Sequence, residues 1–400
     1  MLKKFHNIVN SIIILDEVQN IPLKYWPVVR EILLALSKYF NCRIILMTAT
    51  KPLIFENNDF CKELVTNYDQ YFKTDELNRV ELKYIGENTI DDFYNNLPKL
   101  NLNSYLFVFN SISSSLYFYH KIKNIKGYKK FYLSTNIVPK ERSLRIKNIK
   151  RVITSNKKTS KKKRFIVVST QMIEAGVDID CECAYRDIGP FDSIIQVTGR
   201  CNRNSLLAKK GIVNIVRLKR QNYRDYCTIY DPVLNDISAK ILSPDKIYSE
   251  SEFLSLIDKY FAEAKTRMYQ NYSVINSVMQ LNYDDDNSNS KNPISSFRLI
   301  ENEDYYKRDL YIELDDDAKT IWQQYDGLKK IKDPFDRKNE FLKFRKDFYD
   351  YVISVPEKYV NCGEEHPTGI VYVPKDSLEF CYDNETGWKR NMDDGGTYVF

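Results

Sequence analysis

The feature that most constrains this chain is a rhythm of short, unbroken apolar runs separated by stretches of helical spacing. Ser11 to Leu15 is a continuous, largely β-branched run, and Arg43 to Met47 repeats the pattern. Runs that are apolar on both faces suit parallel strands covered from two sides. Between them, Pro22 opens a segment whose apolar residues Trp26, Val29, Ile32, Leu33 and Leu36 recur at helical intervals, with the proline at an early turn where it is tolerated. From residue 104 the rhythm resumes. Strands are expected at Tyr105 to Phe109, Tyr132 to Leu133, Phe165 to Ser169, Ala184 to Asp187 and Ile212 to Val216. Helices are expected at Ser113 to Ile122, at Pro139 to Lys150 and from about Ser193. Strands alternating with helices predict an α/β fold with parallel sheets.

The remainder is less regular. Residues 76–98, within an irregular stretch running from 55 to 98, read as a linker. This divides the chain into a first unit (1–75), a second (99–220) and a C-terminal unit (221–400) that is mixed, mainly helical and aromatic. Amphipathic stretches there include Phe253 to Tyr269 and Glu340 to Val352, and the polar run Asp284 to Asn292 reads as an exposed loop.

Composition narrows the class. A 43% hydrophobic and 28% charged chain with only 12 glycines in 400 residues reads as folded and soluble, without long flexible linkers. Its apolar runs are too short to span a bilayer, and polar residues interrupt the N-terminal one, so no secretory signal is read and a cytoplasmic location is expected. The eight cysteines are scattered and are expected to be free thiols. Cys181 and Cys183 lack the further ligands that a zinc site requires. The net charge of +6 suits a nucleic-acid partner but is also ordinary for a cytosolic protein.

Four short boxes follow predicted strands, at the edge of an α/β sheet where ligands bind. Asp16-Glu17-Val18-Gln19 ends the first strand. Adjacent carboxylates there can divide labour, Asp16 holding Mg²⁺ through water and Glu17 orienting or deprotonating an attacking water. An isolated Asp-Glu pair would be an ordinary solvated cap. Thr48-Ala49-Thr50 ends the next strand, where Thr48 and Thr50 can hydrogen-bond that carboxylate site, although hydroxyl residues are common in turns. Ser169-Thr170-Gln171 runs on to Glu174-Ala175-Gly176-Val177-Asp178-Ile179-Asp180, and Gln196-Val197-Thr198-Gly199-Arg200-Cys201-Asn202-Arg203 follows. Placed on a helix, Arg200 and Arg203 would share a face and reach one cleft, the arrangement of an arginine finger. The plainer reading is a pair in surface ion pairs.

In this order and spacing the four boxes resemble motifs II, III, V and VI of superfamily 2 helicases. Within that superfamily the chain is similar to the CRISPR-associated helicases of type I systems, strongly so from about residue 8 to 220. The marks are Gln19, Thr48-Ala49-Thr50-Lys51-Pro52, Leu133-Ser134-Thr135-Asn136 with Pro139-Lys140-Glu141-Arg142, and the run from Ser169 to Asp180. Tyr382-Asp383-Asn384-Glu385-Thr386-Gly387 is similar to that family's accessory domain.

The resemblance implies RecA-like parallel sheets, a partial first domain and a complete second one, closing on ATP and Mg²⁺ with single-stranded DNA across their top. It implies that Arg200 and Arg203 face the γ-phosphate with Gln196 beside them, and that Gly176, Asp178 and Gly199 line the nucleotide and coupling region. Asn110, Ser111, Ser134, Thr135, Ser169 and Thr170 would face the DNA backbone. A crRNA-guided surveillance complex would be the partner in antiviral defence.

One element of such a motor is missing. A phosphate-gripping loop needs Gly-Lys-Ser/Thr at its end, and no glycine of this sequence is followed by Lys and then Ser or Thr. An adjacent His-Asp, the mark of the nuclease domain that family members often carry, is also absent. The expectations are that either a separate upstream polypeptide supplies both or the sequence is the product of a gene truncation, that the chain alone is inactive, and that residues 1–75 are its least stable part, since a parallel sheet without its central strand exposes edges and apolar faces. The alternatives are a non-catalytic nucleic-acid or partner-binding module, or another superfamily 2 helicase. The basic run Lys157, Lys158, Lys161, Lys162, Lys163 and Arg164 could track a phosphate backbone but is read first as a solvated loop.

Overall fold

A computed structural model describes residues 2–390 apart from 49–53, 56–60, 66, 68–69, 72, 75–77, 175, 206, 220–229, 245, 269–272, 284–292 and 298–305. The first strand–helix–strand unit forms as its pattern predicts: β1 (Ile12–Leu15), α1 (Trp26–Tyr39) and β2 (Arg43–Leu46). The two strands pair in parallel, Ile12 opposite Arg43 through to Leu15 opposite Leu46, and make a two-stranded sheet by themselves. Ile12 is 66% exposed and Ile14 58%, although their run is as apolar as that of any buried strand.

The second unit is a seven-stranded sheet. Its strands are β3 (Val80–Thr89), β4 (Ser104–Phe109), β5 (Lys129–Leu133), β6 (Phe165–Thr170), β7 (Cys183–Asp187), β8 (Gly211–Lys219) and β9 (Ile247–Ser249), in the spatial order β5-β6-β4-β7-β8-β3-β9. All neighbours are parallel except β9, which runs antiparallel to β3. Alternate residues of β4 serve two cores. Tyr105, Phe107 and Phe109 pack with Phe93 and Phe118 from α2 (Ile90–Asn95) and α3 (Ile112–Ile122). Leu106 and Val108 face the other layer, which holds α4 (Pro139–Lys158), α5 (Phe191–Thr198), α6 (Pro232–Ile241) and α7 (Phe253–Met268). That second core also takes in Val18 and Trp26 from the first unit, and the rings of Trp26 and Phe261 lie 5.7 Å apart.

Two predicted boundaries are corrected. The linker 76–98 contains a ten-residue strand, β3, and a helix, α2. Val80, Leu82 and Tyr84 of β3 point into the core while charged residues alternate with them, a period of two. The C-terminal unit does not begin at 221 either, because α6, β9 and α7 complete the second unit's sheet and core. The separate accessory unit starts with β10 (Lys307–Ile312), after α8 (Ser273–Met279), and continues through α9 (Asp316–Gly327), α10 (Pro334–Tyr349), β11 (Val352–Pro356), β12 (Glu364–Glu365) and β13 (Val371–Val373). Its sheet has the order β11-β10-β13-β12, with a closing hairpin of β14 (Tyr382–Asp383) and β15 (Gly387–Trp388). The all-free thiol expectation fails here, as Cys362 and Cys381 form a disulfide while Cys42, Cys61, Cys181, Cys183 and Cys201 are free.

The accessory unit is fastened to the second through the segment after β5. Val138 belongs to the accessory core. The Asn136 side-chain amide donates to the Trp388 carbonyl (3.0 Å), and Trp388 N–H donates back to the Asn136 carbonyl (2.9 Å). Tyr382 Oη donates to Glu141 (3.0 Å), and Lys140 Nζ lies 3.0 Å from Asp315 and 3.2 Å from Asp317. Gly387 makes the close approach possible. Its φ is +82°, and a Cβ there would fall on the Asn136 carbonyl. No helix among the described residues is long and apolar enough to cross a membrane.

Candidate functional site

The carboxyl ends of β1, β2, β6 and β7 bring the predicted boxes to one junction between the first and second units. At the end of β1, Glu17 adopts a left-handed backbone (φ 54°), unusual for a residue with a Cβ and a mark of functional sites. Asp16 is exposed and its Oδ1 accepts the Glu17 N–H at 3.0 Å. The Gln19 amide then joins two boxes. It donates to the Glu17 carboxylate, and its oxygen accepts the Thr48 hydroxyl at 2.6 Å. Across the junction Gln196 Nε2 donates to the same Glu17 carboxylate oxygen at 3.2 Å. Thr48, Gln19, Glu17 and Gln196 are therefore one hydrogen-bonded chain running from one unit to the other. Thr50 lies outside the described residues.

The two arginines reach the junction by a route that the helical reading did not foresee. Helix α5 ends at Thr198 with Gly199 as its cap, so Arg200 and Arg203 stand in the following turn and not on a shared helical face. Extended pairing of Cys201 with Cys181 stops the helix, with Cys181 N–H donating to the Arg200 carbonyl (3.0 Å) and Asn202 N–H to the Cys181 carbonyl (2.9 Å). Both side chains nevertheless meet the run from Glu174 to Asp180. Arg200 Nη2 donates to the Glu174 carbonyl at 2.6 Å, and Arg203 Nε lies 3.3 Å from Asp178. Asp180 accepts the backbone N–H groups of Arg203 and Asn204 at 2.9 and 3.3 Å. Gly176, exposed and at φ +71°, makes the left-handed turn that separates Glu174 from Asp178. Burial first, then the neighbouring Arg203 charge, lowers the Arg200 pKa from its ordinary value.

The six residues assigned to DNA lie at the carboxyl edge of the sheet, but most do not present side chains there. Asn110, Ser134, Ser169 and Thr170 are buried. The Asn110 amide donates to the Ile188 carbonyl (2.6 Å), Ser134 Oγ accepts the Asn136 N–H (3.2 Å), and Ser169 Oγ donates to the Thr170 carbonyl (2.9 Å). In this structure these small polar groups are turned inward and hydrogen-bond to neighbouring backbone. Ser111 caps α3 by accepting the Ser114 N–H at 3.1 Å and is half-buried, while Thr135 is exposed. The basic run is exposed, as the solvated reading has it. It leads into the start of β6, the edge opposite the junction.

Three groups at the site escaped the sequence reading. Arg186, within β7, is fully buried, and a charged residue inside an apolar strand was the available signal. Asp192 opens α5, and burial ahead of the nearby Glu174 and Glu17 carboxylates pushes its pKa up to about 7. Tyr230 joins the Arg186 contacts from a region without a strand or helix pattern. Among the described residues no group of three or more His, Cys, Asp or Glu side chains could hold a metal ion. A single exposed carboxylate such as Asp16 fits only a Mg²⁺ carried largely by water and substrate phosphates.

Residues 101–206 match the profile of the family described as CRISPR-associated nuclease/helicase Cas3, C-terminal. The CRISPR-associated nuclease/helicase Cas3 of Haloferax volcanii is 51% identical over 47 residues, 12% of this chain and 5% of that protein. Its counterpart in Methanothermobacter thermautotrophicus is 29% identical over 161 residues, 40% of this chain and 18% of that protein. Among solved structures, T. fusca Cas3 with AMPPNP superposes with a TM-score of 0.58 at 12% identity, over 91% of this chain and 50% of that one. A protein in the structure of a CRISPR RNA-guided surveillance complex, pre-nicking, superposes with a TM-score of 0.57 at 11% identity, over 90% of this chain and 53% of that one. The chain thus spans about half of those two structures, and at such identities the likeness establishes the fold alone.

Proposed function

We propose that this chain, whose residues 101–206 match the family described as CRISPR-associated nuclease/helicase Cas3, C-terminal, is the arginine-finger and DNA-tracking part of an ATP-dependent single-stranded DNA translocase. In this reading it unwinds target DNA for degradation in a type I interference system directed by a crRNA-guided surveillance complex. The observation that carries it is the bond from Gln196 to Glu17. It joins the box expected to activate water to the box expected to carry the arginines, and every link of that chain is a group that phosphate hydrolysis can use.

The roles divide by chemistry. Mg²⁺, held through water at Asp16, would neutralise charge on the phosphates. Glu17, held by Gln19 and Gln196, orients the attacking water. Arg200 and Arg203 are poised on backbone and carboxylate acceptors from which a γ-phosphate can draw them, and their charge then stabilises the transferring group. The link from Thr48 through Gln19 and Glu17 to Gln196 lets the hydrolytic state of one unit be felt in the other. Thr135 and the turn at Ser111 are the groups placed to touch a DNA backbone, contributing position and not sequence. Because the sequence has no phosphate-gripping loop, that grip comes from residues outside it.

The test is ATP hydrolysis with and without single-stranded DNA, by the chain alone and mixed with a polypeptide carrying the loop region of its relatives. The chain alone should hydrolyse little. The mixture should show DNA-stimulated hydrolysis that Arg200→Ala lowers by about a thousandfold. Robust stimulated hydrolysis by the chain alone would remove the need for a second polypeptide, and an Arg200→Ala variant with full activity would overturn the assignment of the arginines. The missing loop also supports a second reading, a non-catalytic binding module. Tight binding to single-stranded DNA or a partner with no hydrolysis in any mixture would favour it.

A further inference from the structure

Arg186 is the largest unexplained charge in the molecule. No part of its side chain reaches solvent, and a buried cation persists only where partners replace its lost hydration. Both terminal nitrogens have such partners. Nη2 lies 2.7 Å from Glu174 Oε1, 3.0 Å from Tyr230 Oη and 3.2 Å from Ser193 Oγ. Nη1 donates to the Asp187 carbonyl at 2.6 Å and to the Asn110 side-chain oxygen. The second oxygen of Glu174 accepts the Ser193 hydroxyl and, at 3.3 Å, that of Tyr230. Gly189 leaves the space, since a Cβ there would lie 3.0 Å from Arg186 Nη2.

Glu174 therefore faces two ways. Its carboxylate is pinned in the core by Arg186, and its backbone carbonyl accepts Arg200 Nη2 at 2.6 Å. The Glu174 N–H also donates to the Gln171 carbonyl at 3.0 Å, and an exposed left-handed residue, Gly176, stands two positions on.

We propose that the buried Arg186–Glu174 pair positions Arg200, fixing residue 174 so that its carbonyl holds the guanidinium at the junction of the two units. Arg186 and Glu174 are positioning residues; Arg200 is the group they aim. This deepens the reading of Arg200 as phosphate-facing and rests on it for its functional meaning. The geometric part stands without it. A bidentate, planar guanidinium suits the task, since a lysine could not hold Glu174, Ser193, Tyr230 and Asn110 from one point.

Phenylglyoxal labelling of arginines in the full chain, followed residue by residue by mass spectrometry, tests the geometry without nucleotide. Glu174→Gln keeps shape and carbonyl but removes the charge, and it should raise the Arg200 labelling rate several-fold. Arg203, held by Asp178 instead, should keep its parental rate. Arg186→Gln should behave likewise and Arg186→Lys should fall between. An Arg200 rate unchanged in Glu174→Gln overturns the proposal. So does a common rise at Arg200, Arg203 and Arg217, which would signal loosening of the fold. In the hydrolysis assay Glu174→Gln should lower kcat roughly tenfold to a hundredfold, as misplacement of a catalytic group does, with the KM for ATP kept. Placed on Arg200→Ala it should add nothing, because residues acting through one group are not additive. If Arg200→Ala leaves hydrolysis intact while labelling responds as expected, the functional reading fails and the positioning stands.

Discussion

β1 and β4 are both short apolar strands in parallel pairing, yet Ile12 and Ile14 of β1 are largely exposed while every residue of β4 is buried. Neither propensity nor pattern separates them. The difference is their neighbours. β4 sits between β6 and β7 with helices across both faces, whereas β1 has β2 and α1 for company. A run of β-branched residues states a demand for cover, and other parts of the chain meet it or leave it unmet. The first unit is held to the second by Val18, Trp26 and Ile54, buried in the second unit's core, with Leu15, Ile21, Leu23, Leu46 and Phe55 packed against it, so its contribution to the site depends on that shared core.

That contrast can be broken at its strongest point first. Phe107→Ala in β4 should cost about 3–5 kcal/mol in urea unfolding, the usual loss for a buried phenylalanine. Ile14→Ala should stay within about 0.5 kcal/mol, as surface changes do. A comparable loss at Ile14 would mean that β1 is covered in solution. Amide exchange offers a second view, with β1 and β2 expected to exchange well before β4 and β6.

Next in size is Gly387→Ala. It forces a Cβ onto the Asn136 carbonyl at a left-handed φ and should destabilise by about 1–3 kcal/mol. Its signature in calorimetry would be an accessory transition parting from the main one; a single unchanged transition would show that the hairpin is not what joins the two.

A smaller effect concerns the junction itself. With a pKa of about 7, Asp192 keeps its proton in the fold across a range where the unfolded chain has released it near pH 4. Between pH 4 and 7 the folded state holds the extra proton, so stability falls as pH rises through that window and levels off above it. Asp192→Asn should flatten this slope, matching the parent near pH 4 and exceeding it at pH 8. Parallel curves would indicate that the first unit covers Asp192 less than the structure has it. Smallest of all, Lys161→Glu with Lys162→Glu should leave the salt dependence of DNA binding unchanged, because those residues lead into the edge remote from the junction. A shallower slope would put DNA on that edge.

Most strands of the second unit were legible because their apolar runs leave no other way of being buried. β3 was missed for a physical reason. Lying near the sheet margin, it alternates Val80, Leu82 and Tyr84 with Glu81 and Lys83, and its polar half masks a period of two that is visible once sought. The structure brings together Glu17, Gln196, Arg200 and Arg203, and Asp178, residues that the boxes single out in the sequence. The local geometry of the arginines was not legible, since Cys201 pairing with Cys181 is a long-range event that cuts the helix short. Small polar residues such as Ser134 and Ser169 look alike whether they face a ligand or a core, and only tertiary placement separates the two. Arg186 is the reverse case, as its position inside an apolar strand already required a buried counter-charge.

The clasp between Asn136 and Trp388 has a consequence in time as well as space. Its partners lie 252 positions apart, so during synthesis the turn after β5 must wait for residue 388 to leave the ribosome before it can close. At about 5–20 residues per second that delay is on the order of tens of seconds. Meanwhile Val138 and the first turn of α4 stay uncovered, and a nascent chain stalled short of residue 388 would present a finished sheet with an open seam beside it.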